Sequence, residues 1–168
     1  FTGSNTNKTK CNGNNIILVE KSGKVYGSNA LFHAIQASDG GVFSITGTSD
    51  LPTTITTSEN ATNIIKNGAV LDFKLNSADK YSFLNCKGTL TFYDGGILRV
   101  RLADGFTPAA GTEFKLWTAN TVSGVTAEKV VLDLPVLPAG LKWDTTSIYA
   151  KEGVLRVVKD DASSIDSL

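Results

Sequence analysis

Hydrophobic and polar residues alternate with a period of two along most of this chain, in short runs. Segments at 42–47, 53–57, 62–65, 69–75, 81–84, 88–93, 97–102, 112–118, 129–134 and 153–158 are separated by Gly, Pro, Asn or Asp. Short alternating runs between turn residues predict strands. The apolar run NIILVE at 15–20 predicts a further strand, with a break before Lys24-Val25-Tyr26. One stretch departs from this rhythm. Ala30, Leu31, Ala34, Ile35 and Ala37 recur at spacings of three and four, which predicts an amphipathic helix over 30–38. Ser28 or Asn29 is placed to cap its start, and Gly40 or Gly41 to end it.

Parity sorts the strand faces. Leu90 and Phe92 point one way and Thr89, Thr91 and Tyr93 the other; Leu98, Val100 and Leu102 are inward, with Arg99 and Arg101 outward. Phe43 and Ile45 oppose Val42, Ser44 and Thr46 in the same manner. Asp94-Gly95-Gly96 separates two of these strands, and a hairpin there would keep both faces in register. A chain that turns a corner at the same glycines, stacking successive strands in parallel, satisfies the parity equally.

Composition narrows the setting. The 168 residues suit one domain with its own core, expected to occupy 15–158 between a loose polar segment (1–14) and a polar C-terminal linker (159–168). Lys plus Arg number 16 and Asp plus Glu 16, so no net field gathers nucleic acid. No run reaches the roughly 20 apolar residues of a membrane helix, so no membrane insertion is expected. The chain lacks Met and begins at Phe1, which predicts a processed piece of something longer. Abundant Gly, Thr, Ser and Asn with 19% charged residues fits a secreted or cell-surface all-β protein. Cys11 and Cys86 leave a disulfide and a buried free thiol both open. Asn7 and Asn60 head glycosylation sequons, relevant only to a eukaryotic secretory route.

Two portions carry a resemblance. ALFHAIQASDGGVFSITGTSDLPTTITTSENATNIIKNGAVLDF (30–73) is similar to the start of right-handed parallel β-helix proteins of the pectate-lyase-like class, where a short helix, a Gly-Gly break and an apolar strand lead into the first rungs. LNCKGTLTFYDGGILRVRL (84–102) looks like further rung sequence. The segment 111–158, through LPVLPAGLKWDTT (134–146) and GVLRV (153–157), resembles the closing segment of large secreted bacterial β-solenoid proteins, including autotransporter passengers and Bacteroidetes surface proteins. The resemblance implies a right-handed parallel β-helix (solenoid) capped by the 30–38 helix, with a β-sandwich or jelly roll as the alternative. It also implies an extracellular bacterial setting tied to polysaccharide degradation or adhesion, and supplies no catalytic motif. Other domains of a parent protein are then expected partners.

The search for chemistry points away from an enzyme. Asp39, Asp50, Asp72, Asp79, Asp94, Asp104, Asp133 and Asp144 are scattered and read as turn or capping residues. His33, the one histidine, has no nucleophile motif around it and reads as structural, at the edge of the helical stripe. Neither GxGxxG nor GxxxxGKS occurs, and no cofactor or metal is expected. Outward aromatics remain, because sugar faces stack on exposed rings. Parity in TEFKLWT turns Phe114 and Leu116 inward and Trp117 outward with Lys115. Trp117, Tyr93, Arg99, Arg101 and Lys115 thus form a candidate ligand strip for a polysaccharide or cell-surface glycan, while Trp143 reads as core packing or an end cap. The expectation is a non-catalytic accessory or structural domain, with a carbohydrate-binding module as the alternative.

Overall fold

The computed structural model describes residues 10–11, 16–21, 23–26 and 30–161; the sequon at Asn7, the 162–168 part of the tail and most of the 1–14 segment lie outside them. The described residues form strands β1 (Lys10–Cys11), β2 (Ile16–Val19), β3 (Lys24–Tyr26), β4 (Ala30–Phe32), β5 (Ala34–Ala37), β6 (Val42–Ser44), β7 (Thr54–Thr57) and β8 (Thr62–Ile65). They continue as β9 (Val70–Leu75), β10 (Phe83–Phe92), β11 (Gly96–Leu102), β12 (Glu113–Ser123), β13 (Val130–Asp133), β14 (Leu141–Asp144) and β15 (Glu152–Lys159). The protein is all-β.

Two sheets share the strands. A ten-stranded sheet runs β1-β2-β5-β8-β10-β12-β15-β14, with β4 and β7 alongside, and a five-stranded sheet runs β13-β11-β9-β6-β3. The chain alternates between them, and each return lays a strand parallel to the previous one: β5, β8, β10 and β12 in one sheet, β6, β9, β11 and β13 in the other. Parallel pairing of this kind departs from the antiparallel pairing of a β-sandwich or jelly roll. The hairpin that parity allowed at Asp94-Gly95-Gly96 is absent, because β10 and β11 lie in different sheets. The chain turns a corner there instead.

That corner is repeated. The turns at 38–41, 66–69 and 93–96 each close with a backbone N–H donating to the carbonyl three residues earlier, at 2.8, 3.0 and 2.9 Å. Their third residues are Gly40, Gly68 and Gly95, at φ 77°, 73° and 84°. A left-handed third position is what glycine supplies without a Cβ clash. The spacing of these turns (38 to 66, then 66 to 93) sets the length of one pass, so equivalent residues fall in register.

The register stacks like on like. Val25, Phe43, Leu71, Leu98 and Leu132 form one inward column, and Val19, Ala37, Ile65 and Phe92 face them from the other sheet. These join one core that extends from Ile17 to Val157. Asn63, fully buried among them, repairs the ladder at a bend: Ile35 N donates to its Oδ1 at 3.0 Å, and its Nδ2 lies 3.1 Å from Thr57 Oγ1 and 3.1 Å from Cys86 Sγ. Cys86 is a free, buried thiol whose pKa is pushed up by burial.

The helix expected over 30–38 is replaced by β4 and β5, with His33 exposed at the bend between them. Spacings of three and four are satisfied as well by two short strands kinked at one residue. Phe32, Ala34, Ile35 and Ala37 are all buried, and β5 has parallel partners on both sides, β2 and β8. A helix this short is marginal by itself, so strand pairing prevails.

The C-terminal end closes differently. β15 pairs antiparallel with both β12 and β14. Trp143 packs 6.3 Å from Phe114 between ring centroids and donates from Nε1 to Pro135 O at 2.8 Å, as an end-capping residue would. Gly153 in β15 leaves room for an indole, since a Cβ there would come within 2.2 Å of the Trp117 ring. Gly153→Ala is therefore expected to lower stability by about 1–3 kcal/mol through overpacking, read as a drop in the urea midpoint. A midpoint equal to wild type would show that the ring has room to move.

Candidate functional site

The outer face of the five-stranded sheet carries a charged cluster. Asp72 on β9 and Arg101 on β11 sit mid-strand, where alternation turns them away from the core beside inward Leu71, Phe73 and Val100. The 47–53 loop folds over this face, held by the antiparallel bridge Thr46–Pro52 and by Gly47 N donating to Leu51 O at 2.9 Å. Ser44, Thr46 and Asp72 beneath it are buried although they point outward.

Arg101 joins the loop to the sheet. Its Nε donates to Asp72 Oδ1 at 2.8 Å and its Nη2 to Asp72 Oδ2 at 2.7 Å, while Nη1 and Nη2 donate to the two oxygens of Asp50, each at 2.8 Å. Lys74 Nζ donates to Asp50 Oδ2 at 2.7 Å, and Ser44 Oγ donates to Asp72 Oδ2 at 2.5 Å. A guanidinium fork that meets two carboxylates in this way is among the stronger ionic arrangements. Hydrogen bonds from Arg101 hold the Asp50 carboxyl well below the usual carboxylate range, with burial opposing and Lys74 assisting. The same bonds, to Asp50 first and Asp72 second, raise Arg101 further above its already high value.

Beside the cluster lies an open groove of about 610 Å³. Lys74, Arg99, Arg101, Asp50, Asp104 and Asp133 supply its charges, and Leu102, Leu134 and Pro135 supply apolar wall. Arg99 Nε donates to Asp133 Oδ2 at 2.9 Å across the β11–β13 pair. Among the described residues no group of three or more His, Cys, Asp or Glu side chains is arranged to hold a metal ion.

Of the five residues of the expected ligand strip, only Arg99 and Arg101 meet. Tyr93 is half-exposed at the first position of a corner turn, between the sheets. Lys115 lies on β12 in the other sheet, paired with Glu152 at 3.1 Å. Trp117 does not face outward at all: it is 1% exposed, in register with inward Leu84 and 6.2 Å from the Phe73 ring. The cause is an irregularity in the β12–β15 register between Lys115 and Trp117. A bulge of this kind inserts one residue and reverses parity beyond it, so Leu116 and Trp117 are both buried.

Asp50 does close a turn, its N–H donating to Gly47 O at 3.1 Å, and also enters the cluster; Asp72, expected to serve a turn, instead lies mid-strand on β9 at the cluster's centre. Asp39 and Asp94 do sit in turns, and Asp144 accepts from the Thr146 N–H at 3.0 Å. The cluster's sequence signal was the spacing: Ser44 and Asp72 are 28 residues apart, and Arg101 lies opposite Lys74 in the next strand. No protein-family model and no curated protein matches the chain.

Proposed function

We propose that the chain is a right-handed parallel β-solenoid serving as a non-catalytic accessory or structural domain of a secreted or cell-surface bacterial protein, tied to polysaccharide degradation or adhesion. The observation that carries this reading is the parallel pairing of β6-β9-β11-β13 and of β5-β8-β10-β12, interrupted by one register shift between Cys86 and Thr89 in the β10–β12 pair, with the antiparallel β14–β15 pair at one end. Stacked passes of this kind bury a continuous core and give a rigid rod whose ends need covering. The strongest charges on its surface are engaged with one another, Arg101 with two carboxylates and Lys74 with one, as suits a surface tie between passes.

Incubation with polygalacturonate, with and without added calcium, is expected to release neither unsaturated nor reducing sugars. Release under either condition would overturn the non-catalytic assignment. A second reading, a carbohydrate-binding module, is supported by the groove at which Arg99 and Arg101 meet.

A further inference from the structure

The groove on the five-stranded sheet differs from the cluster beside it in one respect: part of its hydrogen-bonding capacity is unused. Arg101 and Lys74 are committed to Asp50 and Asp72. Arg99 bonds through Nε alone, and among the described residues neither of its terminal nitrogens has a partner. Asp133 accepts on one oxygen, and among the described residues its other oxygen has no partner. Asp104, exposed on the groove wall, has no partner among the described residues. The groove thus presents donors and acceptors together, next to the apolar surfaces of Leu102, Leu134 and Pro135.

We propose that this groove binds an uncharged saccharide, with Arg99, Asp104 and Asp133 holding its hydroxyls and Leu102, Leu134 and Pro135 meeting the C–H face of the ring. The proposal rests on the carbohydrate-binding reading and gives it a site and a ligand class. A hydroxyl both donates and accepts, so neighbouring hydroxyls are matched by a free guanidinium edge beside a free carboxylate oxygen. Three cationic and three anionic side chains line the groove, for a net charge of zero. A uronate or phosphate would bring its charge against the open oxygens of Asp104 and Asp133, while the cations beside them are already neutralised. The volume falls in the range of about 300–1,000 Å³ found for small-ligand sites.

Affinity electrophoresis tests this, in gels containing β-glucan, xylan or galactomannan, with polygalacturonate as the charged comparison. The full chain is run beside Arg99→Ala, Asp104→Ala and Lys87→Ala, the last on the other sheet, with each variant's urea midpoint measured. Wild type and Lys87→Ala are expected to be retarded by at least one neutral polysaccharide. Arg99→Ala and Asp104→Ala are expected to bind about 10-fold more weakly at wild-type midpoints. Retardation unchanged in both groove variants would overturn the site while leaving carbohydrate binding standing. Retardation by polygalacturonate alone would overturn the uncharged ligand class. Absence of retardation in every gel would overturn both the groove proposal and the carbohydrate-binding reading beneath it.

Discussion

Arg101→Met is expected to lower the unfolding free energy by about 3–5 kcal/mol, the cost of leaving a buried charge without its partner. The stranded group is Asp72, whose side chain is 2% exposed and which receives two of its hydrogen bonds from Arg101. Among the described residues, only the Ser44 hydroxyl would remain to its carboxylate. Urea denaturation should show a lower midpoint with an unchanged slope. Replacing both partners, as Arg101→Met with Asp72→Asn, should recover much of the loss, because the penalty lies in the uncompensated charge. Arg99→Met, which breaks a pair with side chains 35% and 55% exposed, should cost under about 1 kcal/mol. Equal losses in the two arginine variants would show that burial of Asp72 is not what makes Arg101 matter.

Acid gives the same cluster a second readout. The folded value of Asp50 lies below its unfolded one because Arg101 and Lys74 donate to it, so the unfolded chain takes up the proton first as pH falls. The contribution of Asp50 is therefore complete above the unfolded value of about 4 and declines below it. Its side chain is 41% exposed, and solvent screening limits the contribution to about 1 kcal/mol. Asp50→Asn should be less stable than wild type at neutral pH, and the difference should shrink below about pH 4. A difference that stays constant into acid would mean that the loop is held by something other than this carboxylate.

Alternation read the strands well wherever the ladder is regular. Leu90, Phe92, Leu98 and Val100 are buried as their parity requires, and the strands expected at 62–65, 69–75 and 97–102 lie within a residue of β8, β9 and β11. It failed where the backbone changes course. A kink at His33 let two strands imitate a helix, and a bulge before Trp117 moved an expected outward ring into the core. Neither event leaves a mark in hydrophobicity, because both are set by partners distant in sequence. The ionic cluster was legible only through the length of one pass, which brings residues 50, 72, 74 and 101 together. Spacing between the corner turns, more than the acids themselves, held that information. The groove was half legible: the outward parity of Arg99 and Arg101 and the turn at Asp104 both hold, whereas Asp133, expected in a turn, ends strand β13.

Trp117→Ala is expected to destabilise the chain by about 3–5 kcal/mol, the usual cost of emptying the space of a large buried aromatic. An outward Trp117 would cost no more than about 0.5 kcal/mol, so the measurement separates the two placements cleanly. The indole fills the space over Gly153, tilts against Phe73 and donates from Nε1 to Ala150 O at 3.1 Å, so truncation leaves a cavity and removes that hydrogen bond. Trp117→Phe restores most of the volume without the N–H and should recover more than half of the loss. In a Trp143→Phe background, Trp117 becomes the sole indole, and its fluorescence should resist acrylamide until the chain unfolds. Quenching of the folded chain at the rate of a free indole would return Trp117 to the surface. With the ring inside, any loss of glycan retention in Trp117→Ala reports a damaged fold, and ligand contact is better tested at Arg99 and Asp104, whose removal leaves the core intact.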